Sequence, residues 1–349
     1  MGLGFAACLA LGLSIGAARA QATLPPFDQA PYTHPQRLVT VAPGRTLNLY
    51  CTGHGTPAVI LDSGWGGPTY AWAYVQPAVA GFTEVCSYDR AGQGFSDAGP
   101  LPRDTDALVG DLHGLLHAAG IKSPYVFVGH SIAGLDGVLF ADRYLGELAG
   151  MVLVDPAFAH QVALMSRIAG MDAVMRKTTP DLTPCEAAAR AHRLPTAPKL
   201  VDLCLDHNPV YTPALVAAMD RMDMRPGYWS DLESEVASSG NVAGAKPLDP
   251  DSRELDRASR SFGSLPLIVL TAGNRSDLPG LSPAQADALF EVWNHGHDMI
   301  ASRSSRGRNQ LVPNSGHYIQ FYQPKVVVDA IRELVTGSRR EAGRHSDQG

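Results

Sequence analysis

Short apolar runs bounded by turn residues alternate along this chain with helix-patterned stretches, and this alternation is the strongest constraint on its fold. The runs are Thr46 to Tyr50, Ala58 to Leu61, Thr83 to Tyr88, Tyr125 to Val128, Met151 to Val154, Pro266 to Leu270 and Gln310 to Pro313, all of strand length and composition. In Asp106 to Ala119, Leu108, Leu112, Leu115 and Leu116 fall on one helical face, and Ala330, Ile331 and Leu334 do the same near the C-terminus. Strands that are apolar on both sides need both sheet faces covered, which amphipathic crossover helices supply. The expected class is α/β, a mostly parallel sheet with helices on both faces.

The alternation stops between 157 and 262, where the sequence is helix-compatible and carries no convincing strand. This segment reads as a helical insertion into a core formed by 21–156 and 263–336. Six of the nine methionines lie in it. Among them Met171, Met175, Met219, Met222 and Met224, with Tyr228 and Trp229, are expected to wall an apolar substrate pocket, since methionine adapts to irregular apolar shapes. The tail 337–349 is polar, with little to bury, and is expected to be disordered.

Composition narrows the function classes. The chain has 349 residues, 45% hydrophobic and 18% charged, which is ample for a core, and its 34 acidic against 28 basic residues leave no cationic excess to hold a phosphate backbone. A nucleic-acid partner is therefore not expected. The apolar run Gly2 to Ala18 ends in Ala18-Arg19-Ala20, the small-x-small form cleaved from exported proteins, so 1–20 reads as a signal peptide and the mature chain as periplasmic or secreted. No later stretch approaches the roughly 18 apolar residues of a membrane-spanning helix, so no stable membrane insertion is expected. After cleavage Cys51, Cys86, Cys185 and Cys204 remain, an even set that suggests two disulfides in an oxidising compartment, with three pairings open. None of their spacings suits a metal, and His295 with His297 lacks a nearby third ligand and reads as surface; no metal is expected.

The chemistry concentrates in Tyr125-Val126-Phe127-Val128-Gly129-His130-Ser131-Ile132-Ala133-Gly134. An apolar strand runs into a tight Gly/Ser turn and then a helix, the context in which a serine hydroxyl is held exposed at a strand end. The pattern is G-x-S-x-A, with Ala133 where a second glycine is usual. Around it, Val59-Ile60-Leu61-Asp62-Ser63-Gly64-Trp65-Gly66, Asp89-Arg90-Ala91-Gly92-Gln93-Gly94-Phe95-Ser96, Val152-Leu153-Val154-Asp155-Pro156 and Ser315-Gly316-His317-Tyr318 follow in order. Together these segments resemble the serine hydrolases of the α/β-hydrolase fold, here an exported esterase-like member with a helical cap, over about residues 40 to 336.

The resemblance implies that Ser131 is the nucleophile and His317 its base, because a serine hydroxyl needs a base that titrates near neutral pH. The acid that orients His317 is Asp155 or, as the alternative, Asp277. Backbone N–H groups of Ile132 and Trp65 are the expected oxyanion donors. His130 is expected to pack or bond locally, and Asp89 and Arg90 to tie loops together. In the strand order of this fold Cys51 meets Cys86, and Cys185 and Cys204 share the insertion. The implied reaction is cleavage of a small, apolar carboxylic ester through an acyl-enzyme, without a cofactor. Amide, lactone or perhydrolysis chemistry would use the same groups, and a catalytically silent ligand-binding protein would retain the same fold.

Overall fold

The computed structural model describes residues 25–178, 181–194, 198–240, 249–274 and 280–346. The apolar N-terminal run with its cleavage motif, and Asp277, lie outside the described residues. Eight strands, β1 (Arg37–Ala42), β2 (Arg45–Thr52), β3 (Ala58–Asp62), β4 (Val85–Tyr88), β5 (Tyr125–His130), β6 (Leu148–Val154), β7 (Leu267–Ala272) and β8 (Gly307–Val312), form one sheet in the order β1-β2-β4-β3-β5-β6-β7-β8. The β1–β2 and β2–β4 pairs are antiparallel, and every pair from β4 to β8 is parallel. The class is α/β, as the alternation predicts.

Successive strand residues feed opposite faces. Ile60, Phe127, Met151 and Val269 enter one core with α2 (Thr105–Ala119) and α3 (Ala133–Tyr144). Val59, Val128, Val152 and Ile268 enter the other, with α1 (Gln76–Ala80), α12 (Ile319–Tyr322) and α13 (Pro324–Ser346). The edge strand β1, not expected from sequence, is mostly exposed and so lacks a continuous apolar run. From β3 the chain steps to β4 on one side and to β5 on the other. Such a reversal opens a crevice beyond the carboxyl ends of the strands, where ligands bind in open α/β sheets.

Between β6 and β7 the described residues contain helices and no strand: α4 (Gln161–Met165), α5 (Met171–Thr178), α6 (Thr183–Arg190), α7 (Pro198–Cys204), α8 (Pro213–Asp223), α9 (Pro226–Ser238) and α10 (Pro250–Arg257). Prolines in the first turns of α6, α8, α9 and α10 suit helix starts. The α11 helix (Pro283–Ala301), opened by a Ser282/Gln285 capping box, follows β7. Disulfides join Cys51 to Cys86, directly opposed on β2 and β4, and Cys185 to Cys204, linking α6 to α7.

The tail departs from expectation. Residues 337–346 continue α13 and are not disordered, whereas 347–349 lie outside the described residues. Low hydrophobicity misled because the helix is already nucleated upstream by its buried face. The polar continuation then anchors through Arg339, which donates to the carbonyls of Thr56 (2.6 Å) and Phe82 (2.9 Å), and through Arg306 with Glu341.

Candidate active site

At the end of β5 the chain turns within one residue into α3. Ser131 occupies that turn with φ 56 and is almost wholly buried, a left-handed conformation that non-glycine residues seldom adopt. Its carbonyl accepts from Gly134 N (2.8 Å) and Ala157 N (2.7 Å), and its N–H donates to Val154 O (3.1 Å). Ala133 fits the turn, while the close approach falls on Gly134, where a Cβ would stand 2.4 Å from Pro156 Cβ.

His317 Nε2 lies 2.9 Å from Ser131 Oγ, and its Nδ1 lies 2.6 Å from Asp155 Oδ2. Asp155 follows β6 with φ 44; its other oxygen accepts from Ala272 N (2.9 Å) and Trp293 Nε1 (3.2 Å). Burial opposes ionisation of this carboxyl, but the hydrogen bond and charge of His317 outweigh it, and the pKa falls below the ordinary value. With Asp155 ionised, Nδ1 holds the proton it donates, and Nε2 is left to accept from the serine hydroxyl.

The loop after β3 closes over the serine. A Cβ on Gly64 would lie 2.7 Å from His130 Nδ1 and 3.2 Å from Ser131 Cβ, so no larger residue passes there. Gly64 O accepts from Arg90 Nη2 at 2.8 Å, and in a trans peptide the following N–H, that of Trp65, points to the opposite side. The Trp65 indole donates to Leu232 O in α9 (2.8 Å). Ile132 stands at the start of α3, where first-turn N–H groups have no intrahelical acceptor.

Beneath this loop Arg90 is buried between Asp62 (3.1 Å) and Glu235 of α9 (3.2 Å) and also donates to Ser63 O. Burial, relieved in part by Arg90, pushes the Asp62 carboxyl up to about 6. Asp89 accepts from Thr69 N, Phe95 N and Asn48 Nδ2, so it holds three segments together. His130 Nε2 donates to His317 O (3.1 Å), and burial drives its pKa well below the usual histidine value.

Trp293 and His297 are site-adjacent residues that the sequence does not reveal. His297 is buried, not on the surface as expected: its Nε2 donates to Pro156 O (2.9 Å), Nδ1 meets Thr271 Oγ1 (2.6 Å), and burial lowers its pKa. His295 is exposed, because residues two apart on α11 leave on opposite sides. Of the expected pocket residues, Met219, Met222 and Tyr228 line a cavity of about 40 Å³ together with Tyr70 and with Gly66 and Pro68 of the loop over Ser131. Met224 and Trp229 pack on the main core. Met171 and Met175 lie apart, buried with Val162, Met165 and Leu289 where the first cap helices meet α11. Their apolar chains fill a helix seam there.

The sequence pattern of the α/β hydrolase fold matches residues 57–226. The chain is 32% identical over 290 residues to the uncharacterized protein YqjL of Bacillus subtilis strain 168, covering 83% of this chain and 88% of YqjL. Among solved structures, the enol-lactonase of Burkholderia xenovorans LB400 superposes with a TM-score of 0.51 at 20% identity, over 85% of this chain and 99% of that one. A thermophilic esterase from Thermogutta terrifontis gives 0.52 at 21% identity, over 87% and 99%. With the sheet order, the serine turn and a relative matched over most of both chains in agreement, this protein belongs to the α/β-hydrolase fold family.

Proposed function

We propose that the protein is a serine hydrolase that cleaves a small, apolar carboxylic ester. The reading rests on the unbroken hydrogen-bonded row from Ser131 through His317 to Asp155. Ser131 Oγ attacks the carbonyl as His317 Nε2 takes its proton, and the oxyanion is received by the N–H groups of Ile132 and Trp65. His317 returns the proton to the leaving alcohol, then activates the water that releases the acid. Asp155 holds the imidazole tautomer and stabilises the imidazolium. The helical insertion, 157–262, acts as the cap, and the cavity beside Gly66, walled by Met219, Met222 and Tyr228, suits a short acyl or alcohol group.

Export after cleavage behind Ala20 completes the reading. Two disulfides fit an oxidising compartment, and no helix among the described residues is long and apolar enough to cross a membrane. The test is a chain-length panel of p-nitrophenyl esters combined with fluorophosphonate labelling. Wild type should give a p-nitrophenol burst and one label on Ser131, and Ser131→Ala should lose about 10⁴-fold or more in kcat. A chain that binds these esters without a burst would be a ligand-binding member of the fold instead.

A further inference from the structure

Away from the Ser131 row, three metal-ligating side chains converge where α2 passes the turn after α3. His113 and His117 stand one helical turn apart on α2, so their rings share a face. Glu147 approaches from the short 3-10 turn Leu145–Glu147. His113 Nε2 lies 3.0 Å from Glu147 Oε1 and 3.0 Å from His117 Nε2, and His117 Nε2 lies 3.6 Å from Glu147 Oε2. The His113 ring is stacked on Tyr144 with centroids 3.7 Å apart and planes parallel, so packing fixes where its Nε2 points.

Protons alone do not satisfy this triangle. A ring nitrogen carries either one N–H or one in-plane lone pair. If His113 Nε2 donates to Glu147, it has no second proton for His117 Nε2. If it accepts from His117, its lone pair faces the Glu147 carboxylate. A cation between the two Nε2 atoms and the carboxylate engages all three side chains at once. Ligand atoms held about 2.0–2.1 Å from a tetrahedral zinc stand roughly 3.3 Å apart, between the 3.0 and 3.6 Å observed here. The His117 side chain is 59% exposed, which leaves an entry path and room for water as a fourth ligand.

We propose that His113, His117 and Glu147 form a binding site for a divalent transition metal, with the imidazole and carboxylate donors that suit Zn²⁺. The ion would pin α2 to the turn that ends α3. None of the three ligands belongs to the Ser131 row, so the site is structural.

The experiment strips the full-length chain with chelator, confirms its fold by circular dichroism, and titrates it with Zn²⁺ by calorimetry, with Co²⁺ absorption as a readout of geometry. Wild type should bind one Zn²⁺ per chain with a raised Tm, and the Co²⁺ form should show tetrahedral visible bands. His117→Ala and Glu147→Gln should each weaken binding by more than the ~10–100-fold that follows loss of an outer-shell partner, while His317→Ala keeps the equivalent. No Zn²⁺ equivalent in wild type, or an equivalent that Glu147→Gln leaves intact, overturns the assignment. Glu147→Gln is isosteric at a half-buried position and gives the reading if His117→Ala does not fold.

Discussion

Ser131 is held in a backbone conformation that side chains resist, and that strain presents its hydroxyl to His317. Both residues are legible from sequence because each sits in a local signature, a strand-turn-helix and a Ser-Gly-His turn. The sequence leaves the acid open between Asp155 and Asp277, since a strand end does not reveal which loop reaches the imidazole. Asp155→Asn should lower kcat on the order of 10⁴-fold, whereas Asp277→Asn should leave it near wild type, and steady-state kinetics on one ester separates them. The places of Trp293 and His297 beside the site are not legible, because their partners, Asp155 and Pro156, are 138 and 141 residues away. His297 also carries a pH signature. Its folded pKa lies below the unfolded value of about 6.5, so the unfolded chain binds the extra proton as pH falls, and this residue's support erodes below that pH. The stability advantage of wild type over His297→Asn should therefore shrink from pH 8 to pH 5, by at most about 1.4 kcal/mol per pH unit. Urea midpoints at the two pH values check it, and a widening gap would mean the buried ring is charged.

Among the elements, α9 links the cap to the site. Glu235 on this helix grips Arg90, whose guanidinium fixes the Ser63 and Gly64 carbonyls, and Leu232 accepts from the Trp65 indole. The loop over Ser131 is thus shaped partly by the insertion. Arg90→Met leaves Asp62 and Glu235 buried without their cation and should cost about 3–5 kcal/mol. Its kcat should fall more than its KM changes, because a misplaced N–H acts on the transition state. Denaturant unfolding and ester kinetics read the two effects, with Glu235→Gln as the milder variant. The insertion was readable as a break in strand alternation, but its grip on Arg90 was not, since Arg90 and Glu235 are 145 residues apart. Strand β1 escaped notice for the opposite reason: a solvent-facing edge strand needs no continuous apolar run.

For the molecule as a whole, the parallel sheet follows from apolar runs that serve two faces; once the fold is recognised, Cys51–Cys86 follows from strand order and Cys185–Cys204 from their shared insertion. The loops they close, 35 and 19 residues, should each contribute about 3–4 kcal/mol by restricting the unfolded chain. Replacing either pair by alanine should lower the denaturant midpoint and raise the m-value, because the unfolded chain without the bridge is less compact. Helix α13 has the widest consequence. Val327, Val328, Ile331, Leu334 and Val335 of α13 cover one face of the central strands, and they follow all eight strands in the chain. Until that helix docks, the central strands keep an open hydrophobic side, so the sheet closes only after its strands have been made. A sheet whose covering helix follows all of its strands stays pliable until that helix docks.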